Sequence, residues 1–234
     1  MDIKLVASDL DGTIIDKNNE ISPKNFNAIR KLHDKKIDFV ICTGKSYSVS
    51  QKVCKKFEAQ YGIFGNGNEI INLQTNEVIW KKVLPLEDLK FLITFAKRFG
   101  LHCHVYSNYE VITESLEYMD LRNYLLKDSN SNTDVEYIVV PDLLKYIEDK
   151  NIEVFSIVIS ASKSNIKDFE NIIAINPNID CTYISKRGKY KDKIVNKDYE
   201  YINVTTKDIN KDIALRYLEN ILNINAKNVL AVRR

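Results

Sequence analysis

The sequence predicts an α/β fold: a doubly wound, Rossmann-like parallel sheet interrupted by an inserted α+β segment. Three observations carry that expectation. Residues 37–42 and 228–232 are almost continuously apolar, as strands covered on both faces are. Strand-like and helical patterns alternate through the first third in the order β-α-β. A long second stretch of alternating strands and helices then separates that beginning from a late helix and a last apolar run.

Composition bounds the rest. The 234 residues allow one large domain or two small ones, and 44% hydrophobic residues can fill a substantial core. A net charge of +2 offers no strong field, so no nucleic-acid partner is expected. No apolar run reaches the ~18 residues of a membrane span, so no membrane partner is expected either. Cys42, Cys54, Cys103 and Cys181 are widely spaced and form no Cys-x-x-Cys pair, which fits reduced thiols. With no signal-peptide pattern at the N-terminus, a cytoplasmic protein is expected.

The elements follow in order. Residues 3–8 form an apolar strand. Ser22-Pro23 opens a helix with a cap residue and a proline at the first helical position, and Phe26, Ile29 and Leu32 share one face. The strand at 37–42 ends in Thr43-Gly44-Lys45-Ser46, a helix covers 48–57, and a short strand covers 61–64. Residues 69–73 and 78–83 read as a hairpin. Beyond Pro85 come a helix at 86–99 closed by Gly100, strands at 102–106 and 111–113, a helix near 115–126 and a strand at 135–139. A helix at 141–149, a strand at 153–160, a helix at 163–175 and a strand at 179–184 complete the insertion. The expected division is therefore a core of 1–83 and 189–234 around an inserted domain of 84–188. Residues 199–204 read as a strand or part of the return crossing. Ile209, Ile213, Leu215, Leu218 and Leu222 recur at helical spacing, and 228–232 reads as a parallel core strand.

Chemistry concentrates at the end of the first strand, in Asp9-Leu10-Asp11-Gly12-Thr13. Residues two apart on a strand point the same way. Asp9 and Asp11 can therefore face one crevice at a strand's C-terminal end, where open α/β sheets bind ligands. Like charges this close need a cation or a shared proton, which points to a hard metal ion and phosphoryl chemistry. A lone Asp-Gly would be an ordinary turn.

The string resembles the first motif of the haloacid dehalogenase-like (HAD) superfamily, and the order of later motifs is similar to its Cof-type sugar-phosphate phosphatases. The resemblance implies Asp9 as nucleophile and Asp11 as the acid that protonates the leaving alcohol and later activates water. Gly12 would let backbone amides approach phosphate oxygens. Thr43-Gly44 resembles the second motif, a hydroxyl and backbone N–H groups for the phosphoryl group. Lys45 stands where relatives with large caps often carry Arg, so a substrate phosphate contact is expected there, though not in the bidentate manner of Arg. Lys211, opening the late helix, resembles the third-motif lysine that offsets charge on the nucleophile, although Asp212 replaces the usual glycine. Gly65-Asn66-Gly67 resembles an Asn-Gly found after the third strand in this group; a positive-φ turn explains it equally well.

The resemblance also implies a magnesium ion on Asp9 and Asp11, completed by acids of a fourth motif after the last strand. Arg233-Arg234 stands there instead, so a shortened phosphatase with weakened magnesium binding and exposed apolar surface is expected. The expected activity is hydrolysis of a small phosphorylated metabolite, a sugar phosphate foremost, by a monomer or weak homodimer. The alternatives are a phosphomutase or phosphotransferase, and a degenerate member that binds a phosphorylated ligand without turnover. His102-x-His104 is expected to be half-exposed rather than a metal pair, and Cys42 to be a small buried hydrophobe. The basic run at 186–191 is expected to be solvated.

Overall fold

The computed structural model describes residues 2–16, 20–107, 110–116, 136–184 and 199–233. The chain divides into two units, Met1–Lys82 with Ile209–Arg234, and Val83–Asp208.

The first unit is built on β1 (Leu5–Asp9), β2 (Asp38–Cys42), β3 (Tyr61–Phe64), β4 (Glu69–Asn72), β5 (Glu77–Lys81) and β12 (Val229–Val232). They form one sheet in the order β12-β1-β2-β3-β4-β5. The four strands from β12 to β3 are parallel, and β4 and β5 add an antiparallel hairpin. Alternation along the strands gives the sheet two apolar faces. Val6, Phe39 and Ile41 point to one side, where they pack with Ile29 of α1 (Pro23–Asp34) and Cys54 of α2 (Tyr47–Lys56). Leu5, Ala7, Val40, Cys42 and Ile63 point to the other, under Ala214 and Leu218 of α6 (Lys211–Leu222). Helices on both faces are what the continuous apolar runs required.

Capping agrees with the sequence. Ser22 Oγ accepts the Asn25 N–H at 3.1 Å ahead of Pro23. Asn210 Oδ1 accepts the Ile213 N–H at 2.8 Å and so starts α6. Two expectations are corrected here. The 228–232 run lies at the edge of the described sheet rather than inside it: among the described residues β12 pairs with β1 alone, and Leu230 and Val232 are 48% and 40% exposed. On α6, Ile213 is exposed and Ala214 takes the core position, because the face buried on β1 and β2 runs through 214 and 218.

The second unit contains α3 (Leu86–Arg98), β6 (His102–Tyr106), β7 (Glu110–Thr113), β8 (Glu136–Val139), α4 (Leu143–Lys150), β9 (Ser156–Ser162), α5 (Lys163–Ile173), β10 (Ile179–Ile184) and β11 (Tyr199–Thr206). Its sheet runs β10-β11-β9-β6-β7-β8 and is antiparallel except for the parallel pair β7–β8. Cys103, Val105, Ile112, Ile157 and Ile159 pack with Leu92, Ile147 and Phe169 of the three helices. The alternate residues of β6 carry the polar face, with His102, His104 and Tyr106 in a row. β11 pairs with both β9 and β10, so it belongs to this unit, which extends to Asp208 rather than ending at 188. His104 is buried rather than half-exposed, with the Tyr106 ring against it on the same face. Most of the helix expected near 115–126, and the basic run at 186–191, lie outside the described residues.

Candidate active site

The parity of β1 decides where Asp9 points. Leu5 and Ala7 face α6, and Asp9, two residues on, faces the same way at the strand's C-terminal end. Lys211 is the first residue of α6, and its Nζ lies 2.9 Å from Asp9 Oδ1. The same oxygen accepts the Leu10 N–H at 2.9 Å. Both side chains are largely covered, with 20% of Asp9 and 26% of Lys211 exposed, so the pair is much less screened than a surface ion pair.

The turn after β1 is held by its own backbone. The N–H groups of Ile14 and Ile15 both donate to the Leu10 carbonyl, and Gly12 donates to Ile15 at 2.9 Å. Gly12 sits at φ 72°, the left-handed region where a side chain is strained. Asp11 is carried into solvent by this turn and meets Lys45 Nζ at 2.6 Å.

Lys45 comes from the turn after β2. Thr43 is buried at its base; its Oγ1 accepts the Lys45 N–H at 3.1 Å, and its N–H donates to the Ile63 carbonyl. The hydroxyl hydrogen is thereby left to donate elsewhere. Gly65-Asn66-Gly67 abuts this turn: Gly65 N–H donates to the Lys45 carbonyl at 2.9 Å, and Asn66 N–H to the Thr43 carbonyl at 3.1 Å. All three residues have positive φ, so the segment is a left-handed turn that also braces the phosphate-type loop. A Cβ on Gly44 would stand 2.9 Å from Asn66 Oδ1, and one on Gly67 would stand 2.5 Å from the Asn210 carbonyl oxygen. These glycines permit the close approach that sets the start of α6, and hence Lys211, against the turns of β2 and β3.

The structure thus brings Asp9, Asp11, Gly12, Thr43, Gly44, Lys45, Asn66 and Lys211 to one end of one sheet. It engages Lys45 with Asp11, the partner the sequence left unassigned. Cys42 lies beneath the pair of Asp9 and Lys211, and burial pushes its thiol up to about 12, as a small buried hydrophobe requires. Sequence reasoning missed two neighbours. Asn210 is the cap of α6 and packs on Gly67. Arg233 has Nε 3.9 Å from Asp9 Oδ2. Its signal was the register: Ser8 pairs with Val232, so the residue after β12 is level with Asp9.

Among the described residues no group of three His, Cys, Asp or Glu side chains could hold a metal ion. The two carboxylates already face Lys211, Arg233 and Lys45. Magnesium asks for near-octahedral oxygen coordination, and these side chains alone do not fit it.

A parallel sheet thus presents a lysine-paired aspartate at a strand end, and comparison with known proteins places the chain in a family. Residues 6–232 match the family model of the haloacid dehalogenase-like hydrolases, and the chain belongs to that family. It is similar to the 5-amino-6-(5-phospho-D-ribitylamino)uracil phosphatase YcsE of Bacillus subtilis, 31% identical over 93 residues, 39% of this chain and 37% of that protein. The chain spans less than half the length of the first two curated relatives it matches, 37% and 46%. Among solved structures it resembles a haloacid dehalogenase-like hydrolase from Bacteroides thetaiotaomicron, with TM-score 0.77 and 21% identity over 99% of this chain and 81% of that one. A sugar phosphatase of HAD subclass IIB superposes with TM-score 0.66 and 17% identity over 97% and 79%.

Proposed function

We propose that this chain hydrolyses phosphomonoesters of small metabolites, sugar phosphates foremost, through an aspartyl-phosphate on Asp9. The observation that carries the reading is the covered Asp9–Lys211 pair at the C-terminal end of a parallel strand. A carboxylate oxygen of Asp9 attacks phosphorus in line, and the bond to the leaving oxygen breaks as Asp11 supplies its proton. Water then attacks the acyl phosphate, Asp11 takes a proton from it, and phosphate leaves with Asp9 restored. Lys211 offsets the charge, Thr43 Oγ1 binds a phosphoryl oxygen, and Gly12 and Gly44 let the backbone approach the phosphoryl group closely. Lys45 and Asn66 shape that loop. The sugar-phosphate preference is supported by the subclass IIB sugar phosphatase neighbour and the phosphatase relative. The free cysteines support a reducing, cytoplasmic setting.

The test is phosphate release from an aryl phosphate and a panel of sugar phosphates, with and without magnesium, for the chain and Asp9→Asn. Release lost in Asp9→Asn is expected. Equal release by both would refute Asp9 as nucleophile, and an isomeric phosphate as product would make the enzyme a mutase.

A further inference from the structure

We infer that the outer face of α1 and α2 is a docking surface for an anionic lipid bilayer, formed by Lys31, Lys35, Lys36, Lys55 and Lys56. Charge distribution is the first support. Residues 22–58 hold nine Lys and Arg against three Asp and Glu, whereas the whole chain holds 34 against 32. The small net charge is thus an average over a strongly basic segment and a net acidic remainder. A positive field can stand over one face of a nearly neutral chain.

Geometry gathers these charges. Ile29 of α1 and Cys54 of α2 point into the same apolar layer on the first sheet. A helix turns by roughly 200° in two residues, so Lys31 and Lys56 project from the outer side. Lys35 stands one turn beyond Lys31. The ends of the two helices are clamped together. Gln60 Oε1 accepts the Phe39 N–H at 2.7 Å, so its amide nitrogen donates to His33 Nδ1 at 3.1 Å, and His33 Nε2 donates to the Phe57 carbonyl at 3.1 Å. This sets Lys31, Lys35 and Lys36 beside Lys55 and Lys56. All five are exposed, and none has an ion-pair partner among the described residues. Cations in a last helical turn complement the helix dipole. Lys24, in the first turn of α1, gains nothing from that dipole, yet it lies two turns before Lys31 and continues the same exposed stripe. The occupant follows from the chemistry of the face. Two helices side by side spread their lysines over a layer, which a plane of lipid phosphates meets at many points at once. Lysine acts there as a compact point charge. Among the described residues of α1 and α2, Phe26 is the sole exposed large apolar side chain, so adhesion is electrostatic, without insertion. α1 and α2 start after the C-terminal ends of β1 and β2 and finish ahead of β2 and β3, so the clamped ends lie at the opposite end of the sheet from Asp9. The inference is therefore independent of the phosphatase reading.

The experiment is co-sedimentation of the full chain with vesicles of phosphatidylcholine alone and of phosphatidylcholine with about 30% phosphatidylserine. Wild-type protein is expected to sediment with the phosphatidylserine vesicles alone and to be released at about 0.5 M salt, where surface charges are screened. The combined variant Lys31→Gln, Lys35→Gln, Lys55→Gln, Lys56→Gln should partition roughly a hundredfold or more weakly, about fivefold for each lysine held at the surface. Its denaturant midpoint and its phosphate release from a soluble ester should match wild type. A control that removes four exposed cations elsewhere, Arg98→Gln, Lys145→Gln, Lys150→Gln, Lys227→Gln, should sediment as wild type. Equal binding to neutral vesicles, wild-type binding by the four-lysine variant, or an equal loss in the control overturns the inference. So does a wild-type chain that ignores phosphatidylserine vesicles but binds a DNA duplex of about 20 base pairs, which would assign the face to nucleic acid.

Discussion

Two side chains and one glycine set the behaviour of the site at the scale of the residue. Lys211 and Asp9 are held as a covered pair, so removing the ammonium leaves a carboxylate with less compensation at the point where phosphoryl charge develops. Lys211→Met is expected to lower kcat/KM by roughly a hundredfold or more, measured on the best ester of the panel. An unchanged value would show that Lys211 only anchors α6. Gly67 sits at φ 114° with its missing Cβ against the Asn210 carbonyl. Gly67→Ala is expected to cost about 2 kcal/mol from backbone strain and to reduce activity by displacing Lys211, whereas Gly100→Ala, with open space around it, should cost less. Denaturant melts of the two variants decide between them.

At the scale of the element, the doubly wound layer depends on strands buried on both faces. Phe39 belongs to β2 and fills the side under α1 and α2, while Leu218 of α6 fills the other side. Phe39→Ala and Leu218→Ala should each cost about 3 to 4 kcal/mol, read as a shift in denaturant midpoint at constant slope. Leu218→Ala should also depress activity, since α6 carries Lys211. A stable, fully active Leu218→Ala would show that the cap at Asn210 alone positions the lysine. Most of these elements were legible because their periods and punctuation agree: Ser22-Pro23 begins a helix, and Gly100 follows one. Edge and core were not legible for 229–232, since apolarity says that a strand is adhesive but not how many neighbours it gains.

For the molecule as a whole, pH acts through a buried group in one of the two units. In the second, burial pushes His102 down to about 4 from its ordinary value near 6.5, with Glu114 opposing the shift. The folded form therefore binds fewer protons than the unfolded chain between those values. Stability is complete above about pH 6.5 and falls as pH drops toward 4, by roughly 3 kcal/mol for this group. His102→Gln should flatten that slope in thermal melts between pH 4 and 7; an unchanged slope would assign it to other groups.

Much of the candidate site could be read from the chain alone, for a physical reason. Asp9, Asp11, Gly12, Thr43 and Gly44 lie within single strand-to-turn transitions, where alternation and turn chemistry dictate direction over a few residues. The apolar runs at 37–42 and 228–232 determined that parallel strands would stand in the sheet. Only tertiary structure decided which cations meet those acids. Lys211 reaches Asp9 through the parity of β1 and the packing of α6, Lys45 turns to Asp11, and Arg233 arrives through the register of β12 on β1. These are long-range pairings between residues far apart in the chain. Local periodicity carries no information about them, because register is set by the buried faces of whole elements.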